Sequence, residues 1–153
     1  MTDTAATPRR ILAIIVTRIG DTLLCTPALR ALKARWPEAE LTVIAHARRG
    51  EVLEHLPFID HLQGLSWLTH WRARLAFFGQ PYDLALVFGD DQGHTKLALR
   101  LAKQVYAFNG SRQTPQPRLT LVNQPPDIPA AQARLSLLTP LASAPMRCVW
   151  PTF

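Results

Sequence analysis

The sequence predicts an open α/β fold, a Rossmann-like parallel sheet with helices on both faces. Three observations carry this. Apolar runs suited to buried strands alternate with helical spacings in the order β-α-β-α-β-α-β-α-β. The first strand feeds a short glycine-bearing turn and then an amphipathic helix, all within residues 11–34, the opening half of a βαβ unit. Finally, 153 residues, 48% hydrophobic and 18% charged, make one ordinary globular domain with a real core.

Residues 1–9 read as a polar, frayed tail. The run 11–16, ILAIIV, is continuous and apolar, as a strand buried on both faces should be. Thr17, Arg18, Ile19, Gly20 and Asp21 break it. Leu23, Leu24, Ala28, Leu29, Leu32 and Trp36 then fall at helical spacing. Pro27 interrupts that spacing, which predicts a short turn from Asp21 and a main helix capped by Thr26. Pro37 stops the helix.

Residues 41–45, LTVIA, form the second strand, 46–50 its terminal loop, and 51–56 a short helix stopped by Pro57. A brief third strand covers 59–62. The helix expected over 66–78 presents Trp67, Trp71, Leu75 and Phe78 along one face, a core-packing pattern. The next strand is 82–88, followed by a carboxylate-rich loop at 89–94, a helix at 95–103 and a strand at 104–108. Five prolines then fall between Pro115 and Pro129, with an edge strand at 118–122. A last helix covers 130–141, and 142–153 is proline-rich and aperiodic. The domain is therefore expected over 10–141, with 142–153 as the start of a linker.

Composition narrows the function classes. No apolar run is long enough to cross a bilayer, and the six-residue run after Arg9-Arg10 is too short for a signal peptide. A cytoplasmic protein is expected. Cys25 and Cys148 are far apart and form no metal or redox pair, so both read as reduced structural thiols. The net charge of +6 reads first as ordinary solvated charge, and otherwise suits an anionic ligand or a membrane surface. Nucleic acid is not expected, because the 17 basic residues are dispersed and not interleaved with stacking aromatics.

Chemistry is expected where strands end. Arg18, Gly20 and Asp21 follow the first strand, where glycine permits a tight turn and the next helix aims its amides. A carboxylate at Asp21 serves either as an N-cap or as a general base, and spacing alone favours the cap. The single glycine matches neither GxGxxG nor a P-loop. Arg48 and Arg49 end the second strand, placed to grip phosphate or carboxylate, although a solvated loop pair explains them equally well. Asp90, Asp91, His94 and Lys96 line another strand end, but their spacing does not specify a metal and none is expected. His46, His55, His61 and His70 show no partner pattern and read as structural.

Residues 11–36, with R-I-G-D, then L-L-x-T-P-A-L-R-A-L-K and W-P-E-A, resemble the N-terminus of glycosyltransferase family 9. These are the bacterial heptosyltransferases of the lipopolysaccharide inner core. The resemblance continues through 41–44, 56–60 and 82–87 and loosens beyond Gly110. The I-G-D-x-L-L-x-T-P-A-L segment is its specific part. It implies the acceptor-binding N-terminal domain of a GT-B enzyme, whose C-terminal domain binds the ADP-heptose donor and which needs no further cofactor. It also implies inverting transfer with Asp21 as the base and a phosphorylated lipid A–Kdo core as acceptor. Arg18, Gly20, Arg48, Arg49 and, by a weaker alignment, Lys96 would line the acceptor site, with contact to the inner-membrane surface. Family members are about twice this length. A chain with no second glycine-bearing turn is therefore expected to lack the donor domain and to be inactive alone. The alternative is a non-catalytic α/β module for a small anionic ligand.

Overall fold

A computed structural model describes residues 8–65, 82–89, 91–109, 116–123 and 127–141. Six strands make one sheet: β1 (Arg10–Ile15), β2 (Glu40–Ala45), β3 (His61–Gly64), β4 (Tyr82–Val87), β5 (Ala102–Phe108) and β6 (Leu119–Val122). Their spatial order is β3-β2-β1-β4-β5-β6, and every pairing is parallel. The register Arg10↔Glu40 through Ile15↔Ala45 aligns the two most apolar runs side by side.

Successive side chains of a strand point to opposite faces, so β1 supplies both halves of the core. Ile11, Ala13 and Ile15 face one side, packed with Ala28, Leu29, Leu32, Leu135 and Leu138. Leu12 and Ile14 face the other, packed with Leu97, Ala98 and Leu101. This is why 11–15 reads as a run with no alternation: both faces are covered. The covering helices are α1 (Ile19–Leu24), α2 (Thr26–Arg35), α3 (Gln92–Leu101) and α4 (Ala130–Leu135), with 3-10 helices at Arg49–Leu53 and Ser136–Leu141.

Several boundaries differ from expectation, each for a local reason. Thr26 does not cap α2. Cys25 holds the cap position with helical backbone angles (φ −82°, ψ −13°), so α1 passes into α2 without the extended residue that a side-chain cap needs. The Thr26 hydroxyl is buried without a hydrogen-bond partner among the described residues. The expected short helix at 51–56 is a 3-10 turn over Arg49–Leu53, beginning two residues earlier. The helix expected from Thr95 starts at Gln92, because Asp91 caps it by accepting the Gly93 N–H at 2.6 Å. The final helix is α-helical only to Leu135 and tightens to 3-10 around Pro140, which has no N–H to give. The expected helix over 66–78, the tail at 1–7 and the linker at 142–153 lie outside the described residues.

Two acids tie the amino edge of the sheet. Asp60 Oδ2 accepts the Leu41 N–H at 2.8 Å and Lys33 Nζ at 2.7 Å. Asp83 Oδ2 accepts the Arg9 N–H at 2.9 Å, and its Oδ1 pairs with Lys103 Nζ at 3.3 Å. Burial pushes both carboxyls up, but the backbone N–H groups and the lysines outweigh it and hold both below the ordinary carboxylate range.

Candidate functional site

The chain runs outward from β1 to β2 and β3 in one direction, then returns to add β4, β5 and β6 in the other. The reversal falls between β1 and β4. Ligands of open α/β sheets bind beside such a reversal, outside the carboxyl ends of the strands. Two turns meet there. Phe88, just past β4, donates its N–H to the Ile14 carbonyl at 3.1 Å, which clamps the end of β4 to β1.

The turn after β1 is closed by its own hydroxyls. Arg18 is the extended N-cap residue of α1 (φ −67°, ψ 159°) and its side chain makes no cap bond. The Thr22 N–H and hydroxyl both donate to the Arg18 carbonyl, each at 2.9 Å. The Thr17 and Thr22 hydroxyls lie 3.2 Å apart. Thr22 is buried, so this polar group has to be satisfied locally, and it is.

Asp21 is the third residue of α1 and therefore not its cap. The capping role that spacing favoured is excluded by that position, since the cap belongs to the extended residue before the helix. Its carboxylate is 41% exposed, and Oδ1 lies 3.6 Å from Arg134 Nη2. Arg134 comes from α4, more than a hundred residues away in sequence, and is only 19% exposed. Its Nη1 donates to the Phe88 carbonyl at 3.1 Å. Its Nε is buried without a partner among the described residues. The guanidinium thus spans the reversal, with one end on the β4 turn and the other beside Asp21.

The β2 end contributes from the opposite flank. His46 Nδ1 accepts the backbone N–H of Arg48 at 3.2 Å and of Arg49 at 3.4 Å, which ties its ring to its own loop. That loop directs Arg49 Nη1 to the Thr17 carbonyl at 3.5 Å. Arg18, Arg48 and Arg49 are all exposed. The structure therefore brings Asp21, Gly20, Arg18 and Arg49 to one place, with Arg48 adjoining in sequence.

Lys96, exposed on α3, makes no hydrogen bond or ion pair with these residues among the described residues. Asp91 spends its carboxylate on the α3 cap, and Asp90 lies outside the described residues. No group of three or more His, Cys, Asp or Glu is placed to share one ion among the described residues. His61, expected to lack a partner, sits 2.7 Å from Glu40 Oε1 across the β2–β3 pair.

Cys25 closes the floor of α1. Its thiol donates to the Asp21 carbonyl at 3.2 Å. Burial pushes its pKa up to about 12, with Arg134 opposing and Asp21 adding to the rise. A thiol held protonated is no nucleophile, so Cys25 packs and does not react. Sequence reasoning missed Arg134 altogether. No periodicity marks it, and only the docking of α4 on α2 and α1 carries it to Asp21.

No family model matches the sequence, and no curated protein does either. Solved structures do match. A glycosyl transferase of family 9 from Veillonella parvula superposes with a TM-score of 0.71 over 89% of this chain, at 19% identity. The fold is that of the family 9 glycosyltransferases. E. coli heptosyltransferase WaaC, solved with ADP-2-deoxy-2-fluoro heptose, matches at 0.66 over 90% of the chain and 15% identity. E. coli ADP-heptose lps heptosyltransferase II matches at 0.67 over 94% and 17% identity. The chain spans about half the length of these structures: 42%, 50% and 47%.

Proposed function

We propose that this chain is the acceptor-binding half of an inverting glycosyltransferase resembling those that transfer heptose from ADP-heptose to the lipopolysaccharide inner core. One observation carries the reading: a half-exposed carboxylate, Asp21, stands at the sheet's reversal point with Arg134 behind it and Arg18 and Arg49 around it. Likeness of fold supports it without naming a substrate.

In this reading the arginines hold the phosphates and carboxylates of a lipid A–Kdo acceptor by charge-assisted hydrogen bonds. Asp21 accepts the proton of the acceptor hydroxyl as its oxygen attacks the anomeric carbon. The nucleotide diphosphate departs from the opposite face, so one displacement inverts that centre. Arg134, 3.6 Å away, orients the carboxylate. In this reading the donor is held by a second domain. An acceptor of this kind sits in a membrane leaflet, so the protein works in the cytoplasm against the inner-membrane surface.

The test is calorimetry of a deacylated Kdo-containing lipid A core against the wild type, Arg18→Ala, Arg49→Ala and Asp21→Ala. Saturable binding should weaken about tenfold or more for each arginine, the loss of about one charged hydrogen bond. Asp21→Ala should bind nearly as well as wild type, because a base acts mainly in the transition state. In a form that transfers sugar, Asp21→Asn should lower kcat by about 10²–10⁴-fold. No binding by folded wild type would overturn the reading. Binding of inorganic phosphate alone, with no preference for the core, would favour the non-catalytic anion-binding module instead.

A further inference from the structure

Strand register draws one row across four strands: Ile14 stands beside Val87, Val87 beside Ala107 and Ala107 beside Leu121. Two residues further toward the carboxyl edge, the same row runs through Val16, Gly89, Asn109 and Asn123. The edge that carries Asp21 after β1 therefore carries two side-chain amides just past β5 and β6. Both are exposed. Asn109 Nδ2 donates to Asn123 Oδ1 at 2.8 Å, which fixes the two amides relative to one another. That bond leaves Asn109 Oδ1 as an open acceptor and Asn123 Nδ2 as an open donor among the described residues.

Holding β6 in place does not account for the pair. The Asn109 N–H already donates to the Val122 carbonyl at 2.8 Å, so backbone alone closes the β5–β6 ladder. An exposed amide–amide bond adds little to that, because each partner would otherwise bond water. Between the amides and β1 lies Gly89. A Cβ built there meets nothing within 4 Å among the described residues, and its backbone is not left-handed. Neither packing nor conformation requires a glycine at that position. Close approach of a ligand to bare backbone is the use that remains.

We propose that Asn109 and Asn123 form a subsite for the hydroxyls of a second sugar unit, one removed from the unit that reacts at Asp21. The inference rests on the acceptor-binding reading and deepens it. Strands lie about 4.8 Å apart, which puts Asn109 about 10 Å from β1. That is too far for the reacting ring and within reach of a further unit of the same oligosaccharide. The chemistry orders the ligand along the edge. Arg18 and Arg49 follow β1 and β2, where they suit anionic groups. The paired amides past β5 and β6 offer one neutral donor and one neutral acceptor, which match adjacent hydroxyls that both give and take hydrogen bonds. The acceptor thus lies across the strand ends, its charged part over β1 and β2 and its hydroxyl-bearing part over β5 and β6.

Calorimetry of the full chain against the deacylated Kdo-containing core, at low and at high salt, tests it. Asn109→Ala and Asn123→Ala should each weaken binding about two- to tenfold, the usual worth of a neutral hydrogen bond. That loss should be equal at both salt concentrations, whereas the Arg18→Ala loss should shrink as salt screens the charge. Gly89→Ala should weaken binding about tenfold by setting a methyl group in the ligand's path. All three variants should melt with wild type. In heteronuclear NMR spectra the side-chain amides of Asn109 and Asn123 should shift when the core is added and stay put with inorganic phosphate. Full binding by both asparagine variants, where wild type binds, would overturn the subsite and leave the acceptor reading standing. Weaker binding with a lower melting temperature and unmoved amide resonances would assign the pair to the β5–β6 edge, and the subsite would fall again. No binding by folded wild type would sink both readings together, an outcome distinct from either of those.

Discussion

Arg134 reaches Asp21 at 3.6 Å, beyond hydrogen-bond range, while its other end is pinned to the Phe88 carbonyl. The pair is thus oriented by α4, and among the described residues no hydrogen bond reaches the Asp21 carboxylate, which is 41% exposed. Gly50 matters on the opposite flank. A Cβ built there would stand 2.8 Å from the Ala45 Cβ, and the Gly50 N–H donates to the His46 carbonyl at 2.8 Å. Only a residue without a side chain lets the Arg49 turn lie this close to the end of β2. Gly50→Ala should destabilise the fold by about 1–3 kcal/mol, the usual cost of overpacking. Urea unfolding checks it: the midpoint should fall with an unchanged m-value. An unaltered midpoint would mean that the loop shifts freely. Gly20, by contrast, has open space around its Cβ position, so its conformational freedom is not what the turn needs most.

At the scale of elements, α3 depends on a residue outside it. It ends in the extended Ala102, so its last carbonyls have no continuing helix to bond. Arg118 supplies the donors: Nη2 to the Leu99 carbonyl at 2.7 Å and Nη1 to Ala102 at 2.8 Å. Arg118 also accepts the Val105 N–H at its own carbonyl, 2.9 Å, where β6 begins to pair with β5. Arg118→Ala should cost about 1–3 kcal/mol, because it leaves half-buried carbonyls unpaired. Arg118→Lys should recover only part, since one ammonium cannot copy a planar fork. Thermal melts rank the three, and hydrogen exchange should show faster protection loss at Val105 and along β6 in the alanine variant. Equal melting temperatures for all three would remove the cap. An edge strand at 118–122 was legible from its composition, but nothing in a proline-rich stretch announced that Arg118 would close a helix at Leu99, nineteen residues earlier.

The whole molecule carries its tightly held acids at one edge and its reactive candidate at the other. Asp60 and Asp83 have folded pKa values below their unfolded ones, so their contribution is fully present above about pH 4 and is lost as pH falls through the folded values. The melting temperature should therefore stay level from neutral pH to about pH 5 and decline below it. A double Asp60→Asn, Asp83→Asn variant should melt lower at neutral pH and show a shallower acid decline, read by calorimetry across that range. Parallel acid slopes for variant and wild type would assign the decline to other groups. Much of the fold was legible in one dimension. Strand-like runs at 11–16, 41–45 and 82–88, separated by helical spacings, point to a parallel sheet covered on both faces, because β-strand and helix periods are properties of short stretches. The short helical segment that follows β1 was legible for the same reason, although Gly20 lies inside α1 and not in a turn before it. What only tertiary structure decided is which strand end lies beside which. The reversal between β1 and β4 sets Phe88 against Ile14, α4 then delivers Arg134 to Asp21, and the His46 loop sends Arg49 to Thr17. These meetings join residues up to 113 positions apart, a separation obtained from Asp21 and Arg134 in the ion pair. Local propensity carries no information over that distance; the packing of helices on a shared sheet does.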